Sequence, residues 1–186
     1  MRVMLIRHGL TDGNLHKRYI GSTDEPLCQE GIRLLRLTPF PQCKAVFSSP
    51  MRRCRETAEI LFPDTEAVIV PSLKECCFGR FEGKNYIELS DDPYYQKWID
   101  SGGTLPFPDG EDPCEFRKRS VMGFYSAINS VHDADVVAFV VHGGTIMAVL
   151  EKLAVPHREY YDWNVSNGHG YDCLWDGSHL SVRKEL

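Results

Sequence analysis

The stretch Val136-Val137-Ala138-Phe139-Val140-Val141 is apolar at all six positions and runs into His142-Gly143-Gly144-Thr145. A strand with one wet face alternates apolar and polar side chains, so a run with no polar position reads as a strand covered on both faces. Such strands belong to the parallel sheets of α/β proteins, flanked by helices. Shorter β-branched runs at Val3–Ile6, Ala45–Phe47 and Ala67–Val70 have helical patterns between several of them, as βαβ units require. From Tyr171 to Lys184 the chain alternates about Asp176-Gly177, which predicts two last strands joined by a turn. The expected class is α/β, with 136–141 as a central strand of the sheet.

Two helices have readable ends. Ser49-Pro50 is an N-cap and first-turn signature, followed by Cys54, Ala58, Leu61 and Phe62 at helical spacing until Pro63. Asp112-Pro113 starts another, with an apolar face of Phe116, Val121, Phe124, Tyr125 and Ile128 and an end near Asn129 to His132. Between them, 91–112 is dense in Pro, Gly, Asp and aromatic residues and reads as a lid or insertion on a single domain spanning 1–186.

The formal charge of −5 leaves no general basic field for nucleic acid or an anionic membrane, so any anion site must be local. No apolar run approaches the ~20 residues of a spanning helix, and Met1-Arg2 passes straight into Val3–Ile6, which reads as neither signal peptide nor anchor. Seven cysteines with no C-x-x-C pair fit reduced thiols in the cytoplasm. Vicinal Cys76-Cys77 lacks the second paired cluster of a zinc site and reads as two small packing side chains. No metal or cofactor is expected.

The chemistry gathers where strands end. Leu5-Ile6-Arg7-His8-Gly9 places a guanidinium and an imidazole at the carboxyl end of the first strand, where open α/β sheets bind ligands. A second His-Gly, His142-Gly143, follows the central strand. After Ala45–Phe47, Ser48-Ser49-Pro50-Met51-Arg52-Arg53 puts Arg53 in the first turn of a helix, and a guanidinium at a helix N-terminus suits phosphate oxygens. Arg52 and Arg55 read as surface charges, Arg55 pairing with Glu59. Beyond the next strand lie two carboxylates, Glu75 and Glu82. A carboxyl group beside an anion is raised in pKa and suits general acid work, for which Glu75 is the candidate. Glu82 reads as a turn residue capping locally.

Leu5-Ile6-Arg7-His8-Gly9-x-Thr11-x-x-Asn14, Ser48-Ser49-Pro50-x-x-Arg53, Glu75-x-x-Phe78-Gly79-x-x-Glu82-Gly83 and Val141-His142-Gly143-Gly144 together resemble the ordered motifs of the histidine phosphatase superfamily, branch 1, also called phosphoglycerate mutase-like. The resemblance implies a three-layer α/β/α sandwich and a metal-independent reaction. It implies that His8 is the nucleophile that becomes phosphohistidine, that Arg7, Arg53 and His142 surround the phosphoryl oxygens, and that Glu75 is the proton donor. Thr11, Asn14, Gly21 and Gly143 are the implied substrate-binding positions. The partner is then a small-molecule phosphomonoester, and the sequence leaves the oligomeric state open, a homodimer included.

Family mutases carry Arg-His-Tyr after the proton donor, where this sequence has Cys76-Cys77-Phe78, and a hydroxyl residue where it has Ile20. Lys97 is the one Lys or Arg in 91–112, which leaves little charge there for a second anion. These departures favour a phosphatase. Tyr19-x-Gly21-x-Thr23-Asp24-x-Pro26-Leu27 and Phe78-Gly79-x-Phe81-Glu82-Gly83 resemble α-ribazole-5′-phosphate phosphatases of cobalamin biosynthesis. Tyr19, Tyr94, Tyr95, Trp98 and Phe107 could stack on a planar base or pack a lid or core. Sugar-phosphate or nucleotide hydrolysis, mutase chemistry and non-catalytic phosphoryl binding are the alternatives.

Overall fold

The computed structural model describes residues 1–132 and 134–186. Seven strands form one sheet: β1 (Arg2–Arg7), β2 (Ala45–Ser48), β3 (Ala67–Ile69), β4 (Val136–Val141), β5 (Ala154–Val155), β6 (Gly170–Trp175) and β7 (Leu180–Glu185). Their order is β3-β2-β4-β1-β6-β7-β5. The apolar run is β4, parallel to both neighbours, with Val137 opposite Val3 on one side and Ala45 on the other. Strand β6 alone runs against the rest, antiparallel to β1 and β7.

Among the described residues six α-helices accompany the sheet: α1 (Asp12–Leu15), α2 (Gln29–Leu37), α3 (Arg52–Leu61), α4 (Pro93–Asp100), α5 (Pro113–Asn129) and α6 (Gly143–Leu153). The two faces of β4 divide the core. Val137, Phe139 and Val141 pack with Phe124 and Ile128 of α5 and Ile146, Val149 and Leu150 of α6. Ala138 and Val140 pack on the other face with Cys54 and Ala58 of α3. Each large side chain so buried contributes about 1.5–3 kcal/mol relative to exposure. A third cluster, centred on Phe81, Trp98 and Phe107, lies apart from these two.

Two local expectations need correction, and one stretch gains an element. Helix α3 begins at Arg52, with Met51 at the N-cap and no side-chain cap. The Ser49 hydroxyl is held instead by His142 Nε2 at 2.7 Å, while Asp24 Oδ1 accepts the Arg52 N–H at 2.6 Å. The i,i+4 pair that forms on this helix is Arg52–Glu56, at 2.6 Å, rather than Arg55–Glu59. The 91–112 stretch contains helix α4, started by Asp92-Pro93 with Asp92 accepting from the Tyr94 and Tyr95 N–H groups. That is the signature which starts α5 as expected, where Asp112 caps Cys114 and Glu115.

Candidate active site

Strands β1, β2 and β4 run parallel and end side by side, so Arg7 and His8, Ser49, and His142 meet at one edge of the sheet. The His8 and His142 rings pack edge to face with centroids 5.2 Å apart. His8 is buried at 4% exposure, and its Nδ1 lies 2.7 Å from the Gly9 carbonyl. A carbonyl only accepts, so Nδ1 carries the proton and Nε2 presents the lone pair. Burial, then Arg53, then Arg7 hold the His8 pKa well below the ordinary imidazole value. His142 is likewise held neutral by burial, then Arg53 and His8. The sheet edge thus offers an uncharged imidazole to an electrophile.

Arg53 is fully buried. Its Nη1 donates to Thr23 O at 2.7 Å and its Nη2 to Gly21 O at 2.9 Å and Ile20 O at 3.3 Å. Half-buried Arg7 donates Nη1 to Val165 O at 2.7 Å. The Nε atoms of both are buried without a hydrogen-bond partner. Among the described residues neither guanidinium is paired with a carboxylate within 4.0 Å. Two positive charges placed this way are costly unless an anion completes the site.

Glu75 follows β3 after an irregular stretch and reaches the N-terminus of α6. Its Oε1 accepts from Cys76 N at 2.8 Å and its Oε2 from Gly144 N at 3.2 Å. Burial raises its pKa, against the opposing pull of those two N–H groups and of Arg53 and Arg7. A carboxyl group whose pKa is raised holds its proton to higher pH and is the better donor to a leaving oxygen.

Arg7, His8, Asn14, Glu75 and Gly143 line one cleft of about 250 Å³. Thr11, Gly21, Arg53 and His142 lie off its wall. Thr11 is fully buried, its hydroxyl accepting from Asn14 N in a capping box that orients α1. Asn14 Oδ1 in turn accepts from Asn167 Nδ2 at 2.9 Å. Gly21 permits close approach, since a Cβ there would fall 1.8 Å from Cys76 O. Arg53 and His142 stay outside the cleft lining: Arg53 Nη1 and Nη2 donate to loop carbonyls, and His142 Nε2 meets the Ser49 hydroxyl.

Several residues carry more than the sequence suggests. Glu82 does more than cap its own turn: its Oε2 accepts locally from Phe78 N at 3.3 Å, and its Oε1 accepts from Gly21 N at 2.7 Å and Thr23 N at 2.8 Å. It therefore holds the loop whose carbonyls hold Arg53. Arg18 and Arg117 line the cleft from outside the 91–112 stretch, paired with Glu88 at 3.1 Å and Glu151 at 3.2 Å. Of the candidate stacking aromatics, Tyr19, Trp98 and Phe107 reach the cleft, whereas Tyr95 is buried in the third core cluster and Tyr94 packs at its edge. All seven cysteines are free thiols. No group of three or more potential metal ligands occurs among the described residues, and no helix there is long and apolar enough to cross a membrane.

Comparison with known proteins identifies the family and the fold. The family model described as histidine phosphatase superfamily (branch 1) matches residues 3–184. The adenosylcobalamin/alpha-ribazole phosphatase of Salmonella typhimurium is 29% identical over 180 residues, covering 90% of this chain and 87% of that protein. The alpha-ribazole phosphatase from Shigella flexneri shares the fold, with TM-score 0.85 at 23% identity over 98% of this chain and 95% of that one. A phosphoglycerate mutase from Thermus thermophilus superposes with TM-score 0.77 at 28% identity, covering 100% of this chain and 98% of that one. The chain belongs to the histidine phosphatase superfamily, branch 1, and is a phosphoric monoester hydrolase of the phosphoglycerate mutase-like fold.

Proposed function

We propose that the chain hydrolyses phosphomonoesters through a phosphohistidine at His8, with α-ribazole 5′-phosphate as the substrate. The observation that carries the chemistry is an uncharged imidazole flanked by two guanidiniums that no carboxylate among the described residues pairs with. His8 Nε2 forms a bond to phosphorus as the bond from phosphorus to the ester oxygen breaks. Arg7, with the buried charge of Arg53 and the dipole of His142 behind it, offsets charge on the equatorial oxygens. Glu75 gives its proton to the departing alkoxide. It then takes one from the water whose oxygen displaces His8 from phosphorus, which frees phosphate and restores the enzyme.

Three features support the substrate. The Salmonella relative carries that name across most of its length. Tyr19, Phe78, Trp98 and Phe107 give the cleft an aromatic wall suited to a planar base. Arg18 and Arg117 are already matched by carboxylates, so a second anionic group on the substrate finds no unpaired charge there.

The test is phosphate release by the wild type and His8→Ala, in EDTA, from α-ribazole 5′-phosphate, 3-phosphoglycerate, fructose phosphates, nucleotides and an aryl phosphate. A strong preference for α-ribazole 5′-phosphate that the substitution abolishes is the expected result. Equal weak rates on every ester overturn the substrate but keep the mechanism. Full activity in His8→Ala overturns the mechanism.

A further inference from the structure

Glu75 sits in a stretch with no strand or helix of its own, between a single 3-10 turn at Pro71–Leu73 and another at Gly79–Phe81. Backbone there has no regular partners, and a proton donor on it would wander unless something else satisfied those groups. Arg119 of α5 does so. Its Nη1 donates to Ser72 O at 2.9 Å and Lys74 O at 2.7 Å, and its Nη2 to Glu75 O at 3.0 Å. The same guanidinium forks onto Glu111, Nε to Oε1 at 2.6 Å and Nη2 to Oε2 at 2.7 Å. These five bonds match the five N–H groups an arginine owns. Glu111 completes the frame beyond Glu75: its Oε2 accepts from Cys77 N at 3.3 Å and its backbone N–H donates to Cys77 O at 2.9 Å.

We propose that Arg119, forked onto Glu111, is the residue that positions the Glu75 carboxyl for proton transfer. Neither partner lines the cleft, so both act through the backbone on either side of Glu75. A lysine cannot substitute. Its single nitrogen carries three donors and cannot span three carbonyls and a carboxylate, although it keeps the charge. The inference rests on the reading of Glu75 as the proton donor.

The experiment compares kcat/KM for p-nitrophenyl phosphate, whose leaving group departs without a proton, with that for a primary alkyl phosphate, which needs one. Because kcat/KM reports the steps up to phosphohistidine formation, the later role of Glu75 as base does not enter. For Arg119→Lys and Arg119→Ala, kcat/KM on the alkyl ester should fall about 100-fold, as for a misplaced general acid, while that on the aryl ester stays within about threefold. Glu75→Gln should show the same split, and larger. Equal losses on both esters, or none, with the split intact in Glu75→Gln, overturn the positioning role alone. No split in Glu75→Gln overturns the reading beneath it, and the inference with it. Should the Arg119 variants fail to fold by circular dichroism, Glu111→Gln decides: it leaves the three carbonyl bonds in place and should show the split at about tenfold, and its absence overturns the proposal.

Discussion

Gly144 is where a single methyl group should disable the site without unfolding the protein. Its φ lies in a region any L-residue adopts, so alanine meets no backbone strain, and in the first turn of α6 it gains up to about 1 kcal/mol of helix propensity. The obstacle is side-chain space. An added Cβ would fall 2.5 Å from Glu75 Oε1, with Phe116 Cζ at 3.0 Å and Cε1 at 3.1 Å. Going from 2.5 Å to the 3.4 Å of ordinary contact is a retreat of about 0.9 Å, which stretches the bonds from Cys76 N and Gly144 N, now 2.8 and 3.2 Å. Phe116, buried against Phe81 and Trp98, cannot yield as easily as the carboxyl. Overpacking of this kind costs about 1 kcal/mol at its mild end, close to the propensity gained, so Tm should stay near the wild-type value. A misplacement near 1 Å of a catalytic group, by contrast, costs about 100-fold. Gly144→Ala should therefore lose about 100-fold in kcat/KM on an alkyl phosphate. Weaker N–H bonds should also raise the Glu75 pKa further and move the alkaline limb of kcat/KM to higher pH. Thermal melts and steady-state kinetics on one preparation suffice. Wild-type kcat/KM within about threefold, or activity lost only in step with the fold, would refute the reasoning.

Removing the Arg7 guanidinium should cost at least ~100-fold in kcat/KM, as losing an oxyanion donor does, and the same loss is expected for Arg53→Ala with a lower Tm besides, since three loop carbonyls lose their donor. Stability should fall as pH drops below about 6.5, the ordinary histidine value: the unfolded chain gains protons at His8 and His142 that the native state refuses, while native Glu75 retains one that the unfolded chain gives up. Two such imidazoles against one carboxyl leave the unfolded chain binding more protons than the native one, and urea midpoints flat between pH 7.5 and 5 would contradict it. Asp172 is buried on β6, 2.9 Å from Arg2 Nε and 3.8 Å from Arg183, so Asp172→Ala should lower unfolding free energy by about 1–3 kcal/mol in urea melts and leave the rate per folded molecule unchanged. A thiol reagent on the native protein should label Cys28, Cys77 and Cys114 before the others, because burial removes Cys43, Cys54, Cys76 and Cys173 from contact and pushes the Cys43 thiol up to about 11 and those of Cys54 and Cys173 up to about 12.

The parts of this molecule legible in its sequence are those whose meaning is local. An unbroken, β-branched apolar run reads as a doubly covered strand, so β4 could be placed in the interior of the sheet before any contact was known. Residues immediately after such strands lie at the ligand-binding edge, which is why Arg7, His8 and His142 could be named together. Local signals fail where a distant group claims the same atom. The Ser49 hydroxyl is a good N-cap by composition, but His142, 93 positions away, takes it, and the helix starts two residues later than Pro50 suggests. Asp92-Pro93 and Asp112-Pro113 are equivalent starts, yet the Gly, Pro and Asp residues around α4 mask its single short run.

The residues that hold the chemistry in place were the least legible, and the reason is physical. Glu82 and Arg119 both act by satisfying backbone groups of irregular loops, 20–23 and 72–77, that carry no signal of needing them. A carboxylate or guanidinium chosen for that task looks, in sequence, like any surface charge, because the loop it holds is 44 to 61 positions away. The two clamps also serve opposite charges. Glu82 fixes the carbonyls that hold a buried arginine, while Arg119 fixes the backbone that carries a carboxyl group. The sheet edge therefore needs no carboxylate against Arg53 and no cation against Glu75, and the positive field stays open for a phosphoryl group. Had either loop been held by direct ion pairs to Arg53 or Glu75, the holding would have cancelled the charge or the raised pKa on which the proposed hydrolysis depends.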